Sequence, residues 1–323
     1  MRRIYFFLSI FLLLGACRPD RTPVLINEQI PQGLRDAVKQ LNTSMFQAMR
    51  TNQLEFLEQR FSTSFRKRLM SIEAAINNFQ GLIPDVAFEP LDDYWVQPNA
   101  LIQQPYLAGP SHTYFLQPDN QTLEQYFSLV VFQQKSSSLL AICTYVKEGG
   151  TWKMDNFQMG YKDYFGRDAL HYFEQSKTEL QADHLLNAYL DMLLVRDLRQ
   201  PGGKLFQYRL DAEMSQFEQR VLDQIKSSYQ LPLELEQIAS KPELLSVGPQ
   251  FSPNGHLPQI SYQTNLSIQD ESGLAQECDQ IHALIEDLYP GIKTYSATIM
   301  YQVVNKESKS KGGSKSFVKK NQP

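Results

Sequence analysis

Leu139-Leu-Ala-Ile-Cys-Thr-Tyr-Val-Lys-Glu-Gly-Gly-Thr-Trp-Lys-Met-Asp-Asn-Phe-Gln-Met-Gly160 decides how the first half of this chain folds. Two runs rich in apolar, β-branched and aromatic residues, 139–146 and 151–161, are separated by Lys147-Glu-Gly-Gly150, a glycine turn that favours a hairpin. A third such run, 124–133, precedes them across Gln134-Lys-Ser-Ser-Ser138, so an antiparallel meander follows. Upstream, Leu34, Val38, Leu41, Met45 and Met49 recur at the three- and four-residue spacing of one helical face. A second helical pattern runs through Phe61, Phe65, Leu69, Ile72, Ile76 and Phe79, with Ser62 or Thr63 as the N-cap. The stretch 81–120 is proline-rich and irregular, with Trp95 in an Asp92-Asp-Tyr-Trp95 loop. The fold class is therefore α+β.

From Gly33 to Tyr161 the opening helices and the terminal Gly-Gly-Thr-Trp-Lys hairpin resemble the nuclear transport factor 2-like fold. That resemblance implies N-terminal helices packed into a strongly curved antiparallel sheet. It also implies two activities found in that superfamily: a cone that carries an apolar ligand, and acid-base catalysis by a buried carboxylate or tyrosine. Asp155 is the one acidic residue of the meander expected inside, on a face shared with Lys153 and Phe157. Lys153 there argues against a dry cavity.

The second half, 166–305, reads as another α+β domain, divided from residues 33–165 near Tyr161–Ser176. Leu180–Leu198 is apolar nearly all round, which predicts a helix buried on several sides. Phe217, Val221, Leu222 and Ile225 outline another helix. Two alternating strands, Ile260–Ile268 and Tyr295–Val303, flank a helix marked by Leu274, Cys278, Ile281, Ile285 and Leu288, a strand-helix-strand crossover. The segment 306–323, rich in lysine, serine and glycine, reads as a disordered basic tail.

At the other end, Arg2 and Arg3 precede an apolar run, Ile4–Leu14, too short to span a bilayer of about 30 Å. The run ends in Leu14-Gly15-Ala16-Cys17, which resembles the lipobox of bacterial lipoproteins. The resemblance implies a signal peptide over 1–16, acyl chains on Cys17, and a leash over 17–32. It places the protein in the bacterial cell envelope, held to a membrane through its lipid. In a Gram-negative source Arg18, which is not aspartate, favours the outer membrane over the inner.

The region from Cys17 to Asn305 carries 23 basic against 34 acidic residues, a formal charge near −11. Phosphate binding needs a basic footprint, so a nucleic-acid partner is not expected. Cys143 and Cys278 form either one disulfide or two buried thiols, since spacing alone does not show proximity. The five histidines include no His-Glu-x-x-His or His-x-His, and the trio Asp279, His282 and Glu286 reads as a helix surface. Ser64-Phe-Arg-Lys67 has a Ser-x-x-Lys spacing without its Ser-Asp-Asn or Lys-Thr-Gly companions. Gly202-Gly203-Lys204 lacks the spacing of a phosphate loop. No catalytic, metal or cofactor set emerges, and the expected function is a tethered, non-enzymatic binding or assembly module for an envelope protein or small ligand. Trp95 is the candidate partner contact, or else a plug in the protein's own core.

Overall fold

The computed structural model describes residues 24–69, 71, 73–74, 77, 83–97, 107–108, 113–117, 124–252, 255–306 and 314–321. Three helices come first: α1 (Gln32–Arg50), α2 (Leu54–Arg60) and α3 (Thr63–Arg68). Ser62 caps α3, its hydroxyl accepting from the Phe65 amide at 2.8 Å. Around them lies a strongly curled antiparallel sheet in the order β1-β2-β5-β6-β7-β8. Its strands are β1 (Val24–Ile26), β2 (Phe88–Val96), β5 (Gln125–Gln133), β6 (Ser137–Glu148), β7 (Thr151–Tyr164) and β8 (Arg167–Asp168). The β6–β7 turn follows the sequence expectation: Glu148 pairs with Thr151, and Gly149 and Gly150 take φ of 58° and 80°. Two successive positive φ values define the turn whose twist matches a hairpin.

Three residues of this sheet have no partner across the ladder. Leu91 is extra in β2, between the Pro90–Val130 and Asp92–Leu129 pairs. Asp155 and Lys162 are extra in β7, between Met154 and Asn156 and between Tyr161 and Asp163. Each bulge bends its strand and increases the twist, which suits the curl. The bulge at Asp155 also breaks the alternation on which its shared face with Lys153 and Phe157 was expected.

The sheet is covered on both faces, and β5 is accordingly buried from Gln125 to Phe132. One face holds Tyr126, Val130, Phe132, Ala141, Cys143 and Tyr145 against Val38, Met45, Phe46 and Met49 of α1. The opposite face holds Phe127, Leu129, Val131, Leu140 and Ile142 against helices of the second half. These are α4 (Ala169–Gln181), α5 (Leu185–Leu198) and α6 (Asp211–Ser228). A small sheet, β3 (Leu107–Ala108), β4 (Tyr114–Leu116) and β9 (Phe206–Tyr208), joins that cluster. The expected division near Tyr161–Ser176 is therefore not a packing boundary: Tyr172, Phe173, Met192 and Val195 share one core with Phe127 and Ile142.

A second sheet has the order β10-β11-β12-β13-β14, with β10 (Leu233–Glu234), β11 (Glu243–Ser252), β12 (Gly255–Thr264), β13 (Thr298–Asn305) and β14 (Ser314–Lys320). Strands β12 and β13 are parallel and joined through α7 (Glu271–Leu288) and the short α8 (Ile292–Tyr295), as the crossover pattern predicts. Leu186 and Leu190 of α5 pack here with Ile260, Tyr262, Cys278 and Ile281. Helix α5 thus serves two cores, the physical reason for its all-round apolarity.

Two terminal expectations are corrected. Ser314–Lys320 is an edge strand on β13, held by Lys315–Glu271 and Lys319–Asp279 ion pairs, where composition predicts a solvated end. Val24–Ile26, expected within the leash, pairs with Tyr94–Val96 of β2. Cys143 and Cys278 are free, buried and in different cores. Burial pushes both thiols up, Cys278 to about 12, so neither is a thiolate at neutral pH.

Candidate functional site

Cys17 lies outside the described residues. Trp95 sits in β2 rather than a loop, half-buried against the α1 cluster, and its indole N–H donates to Glu124 Oε1 at 3.0 Å. Asp155 does not face an open cone: its carboxylate accepts from the Ser62 hydroxyl and pairs with Arg68 at 3.3 Å. Lys153 turns to the Gln59 carbonyl.

The space between α1 and the sheet is occupied by Met45, Phe46, Met49, Phe132 and Phe157. Among its polar groups, Tyr145 donates to Asn42 Oδ1 at 2.6 Å and Asn42 donates to Ser128 at 2.9 Å. Asp93, which the sequence reading passed over, pairs with Ser128 on this face, and burial raises its carboxyl above the ordinary range. At the rim, a shallow hollow of about 500 Å³ lies over Phe46, Phe88 and Phe132, with the Arg50–Asp85 ion pair at its edge.

The trio Asp279, His282 and Glu286 does not converge. Asp279 pairs with Lys319 at 2.6 Å, His282 Nδ1 lies 2.9 Å from the Tyr301 hydroxyl, and Glu286 accepts from the Gly291 and Lys293 amides. Ser64 is exposed and accepts from Arg68. Among the described residues no group of three His, Cys, Asp or Glu side chains is placed to hold a metal.

A better-formed cavity, about 320 Å³, opens on the opposite face of the curled sheet, between it and the β4–β9 ladder. Tyr114 and Phe206 form one wall, their rings stacked at 4.7 Å and 22°, with Tyr208 edge-on to Phe206 at 5.0 Å. Leu91 and Leu140 complete the apolar lining. The polar lining residues are Asp92, Thr113, Lys162 and Asp168, with the Tyr114 and Tyr208 hydroxyls. Two of the sheet's three bulged residues, Leu91 and Lys162, line this one cavity. Bulges re-aim side chains where a regular pleat would not deliver them.

Asp92, Lys162 and Asp168 are each held from behind. Asn27 donates to Asp92 Oδ1 at 2.9 Å, and Tyr114 donates to Asp92 Oδ2. Asp163 pairs with Lys162 at 3.3 Å while itself accepting from Ser138. Asp168 caps α4 through the His171 amide at 2.9 Å. Burial, reinforced by Asp168 and Asp163, raises the Tyr208 phenol, which stays protonated and able to donate. No family model matches the chain, and neither does any curated protein or solved structure. The cavity's lining offers two carboxylate acceptors, the Lys162 and Tyr208 donors and the Thr113 hydroxyl around an aromatic wall.

A second polar cluster lies where the two sheets meet at α5. Asp191, wholly buried, accepts at Oδ1 from the Tyr295 hydroxyl at 2.7 Å and from Gln175 at 3.3 Å. His256 Nε2 lies 3.1 Å from that same hydroxyl. Asp191 Oδ2 has no partner among the described residues, and neither has Oδ1 of Asn187, one turn earlier on α5. Burial raises Asp191 to about 8 and lowers His256 to about 4, the latter helped by the positive charge of Arg167. The cluster borders neither of the cavities described above and reads as a structural junction with unusual proton affinities.

Neither the cavity nor the Asp191 junction was legible in the sequence. Their residues come from distant segments, and the bulges depend on pairing register. The one local signal was Tyr114-Phe115-Leu116 and Phe206-Gln207-Tyr208, two short aromatic alternations.

Proposed function

We propose that this protein is a lipid-anchored, non-enzymatic binding module of the bacterial cell envelope, attached through Cys17, in a Gram-negative source to the outer membrane. Its scaffold is of nuclear transport factor 2-like type, with a second α+β unit docked on the far face of the sheet. Its ligand site is the cavity walled by Tyr114, Phe206 and Tyr208. The single observation that carries this reading is the convergence of two of the sheet's three bulged residues, Leu91 and Lys162, on that cavity. The packed space under α1, with Asp155 engaged by Ser62 and Arg68, supports a binding role over acid-base catalysis in the cone. The hollow over Phe46, Phe88 and Phe132 keeps a carrier of apolar ligands as the second reading.

Mass spectrometry of the mature N-terminal peptide tests the anchor, together with fractionation of Cys17→Ser. An acylated Cys17 and a variant released from the membrane fraction are the expected results. An unmodified terminus elsewhere, with fractionation unchanged, overturns it.

A further inference from the structure

We infer that the cavity between the curled sheet and the β4–β9 ladder takes a neutral sugar ring, an inference that rests on its assignment as the ligand site. Tyr114 and Phe206 stack face to face, each ring covering one face of the other, and the outer aromatic face of such a pair carries negative quadrupole charge that attracts the weakly positive C–H groups on one side of a pyranose. Leu91 and Leu140 extend that surface.

The rim then discriminates among ligand classes. Asp92 and Asp168 only accept hydrogen bonds, whereas Lys162 and Tyr208 donate them. A hydroxyl does both, so neighbouring hydroxyls of one ring serve a carboxylate and an ammonium side by side. An anion would meet two carboxylates against one ammonium. A cation would meet Lys162, which Asp163 holds in place. An apolar ligand would strip water from these polar groups and return no hydrogen bonds, which is costly for each. A volume of about 320 Å³ lies at the small end of ligand sites, suited to one or two rings rather than a long chain.

The bulges give a reason for the position. In regular pairing Leu91 and Asp92, neighbours in β2, would point to opposite faces of the sheet; the bulge at Leu91 brings both to one opening. Leu91, 39% exposed, forms the cavity's outer lip and is the place to close it without disturbing the core.

The test is ligand-detected NMR and calorimetry on the full chain in detergent. The probes are glucose, galactose and N-acetylglucosamine, with glutamate, cadaverine and hexanol as charged and apolar controls. Sugars are expected to bind with dissociation constants on the order of millimolar, as a single ring in a small site does. Leu91→Trp should weaken that binding at least about tenfold, and Lys162→Met about fivefold to tenfold, both without loss of folded signal. Sugar binding that is indifferent to Leu91→Trp places the sugar elsewhere and overturns the inference. A charged or apolar control bound in preference, and blocked by Leu91→Trp, overturns the sugar class while leaving the cavity as the ligand site. Binding of no probe overturns both.

Discussion

Tyr295 donates its hydroxyl hydrogen to Oδ1 of Asp191 across 2.7 Å, and Asp191 is wholly buried. Burial holds the carboxyl near 8 against an ordinary 3.8, which leaves Oδ2, the oxygen without a partner, to carry the proton at neutral pH. The unfolded chain releases that proton from about pH 4 upward, the folded chain only near pH 8, so this group's contribution to stability falls as pH rises between those values. His256, lowered from 6.5 to about 4, works in the opposite sense: its contribution is lost as pH falls from 6.5 towards 4. The two slopes oppose each other below pH 6.5, and only the Asp191 slope remains above it. Asp191 should therefore contribute to urea unfolding a decline of about 1.4 kcal/mol per pH unit from pH 6.5 up to about pH 8, added to the slopes of the other buried groups. In Asp191→Asn the decline above pH 6.5 should vanish; its persistence would assign the effect to another group.

Ser62 performs two tasks, accepting from the Phe65 amide to cap α3 and donating to buried Asp155. Ser62→Ala should cost about 1–2 kcal/mol for the cap and more for the bond Asp155 loses. Thermal melts of Ser62→Ala against Ser62→Thr separate the contributions, because threonine keeps the hydroxyl. Equal loss in both would show that neither bond matters.

Leu190 and Leu194 lie on the same helix but in different cores, one with the second sheet and one with the curled sheet. Each truncation to alanine should destabilise by about 2–5 kcal/mol, and both should shift one common transition seen by near-ultraviolet circular dichroism and tryptophan fluorescence. For the same reason a 33–165 fragment should lack cooperative unfolding, since Phe127, Leu129, Leu140 and Ile142 would lose their cover. A sharp melt of that fragment would restore the boundary near Tyr161.

Trp95 packs its ring on the α1 cluster and satisfies its N–H with Glu124. Trp95→Ala should cost about 2–3 kcal/mol, less than a fully buried tryptophan, and Trp95→Phe about 1 kcal/mol for the lost hydrogen bond. Denaturation curves measure the cost, and crosslinking in native membranes reads the partner role. Loss of a specific crosslink without loss of stability would make Trp95 a contact rather than a plug.

The hairpin at Gly149-Gly150 was legible because the turn chemistry is local and the flanking strands are long. Ser62 as a cap was legible for the same reason. The covering of both sheet faces was written in the unbroken apolar run Leu139–Val146, since strands buried on both sides lose the polar half of their alternation. The run does not say which segment covers its second face, and the boundary expected near Tyr161 follows the end of the meander. Strand β14 escaped notice because Ser-Lys-Ser-Phe-Val-Lys-Lys has little apolar surface; its order comes from the β13 ladder and from lysines paired with α7, both long-range. Lys162 and Leu91 were invisible as a pair because their convergence depends on two bulges in strands that are not neighbours.

The pairing of Val24–Ile26 with β2 changes what the membrane attachment would be mechanically. With acyl chains on Cys17, six residues and seven Cα-to-Cα steps separate the anchor from the first paired residue, Val24. Fully stretched they reach about 25 Å, a standoff smaller than the protein itself. Such an attachment behaves less as a string than as a short axle: the β1 edge must stay close to the lipid headgroups, and the body turns about that edge instead of roaming. Any partner it serves has to come to the bilayer, or already be there.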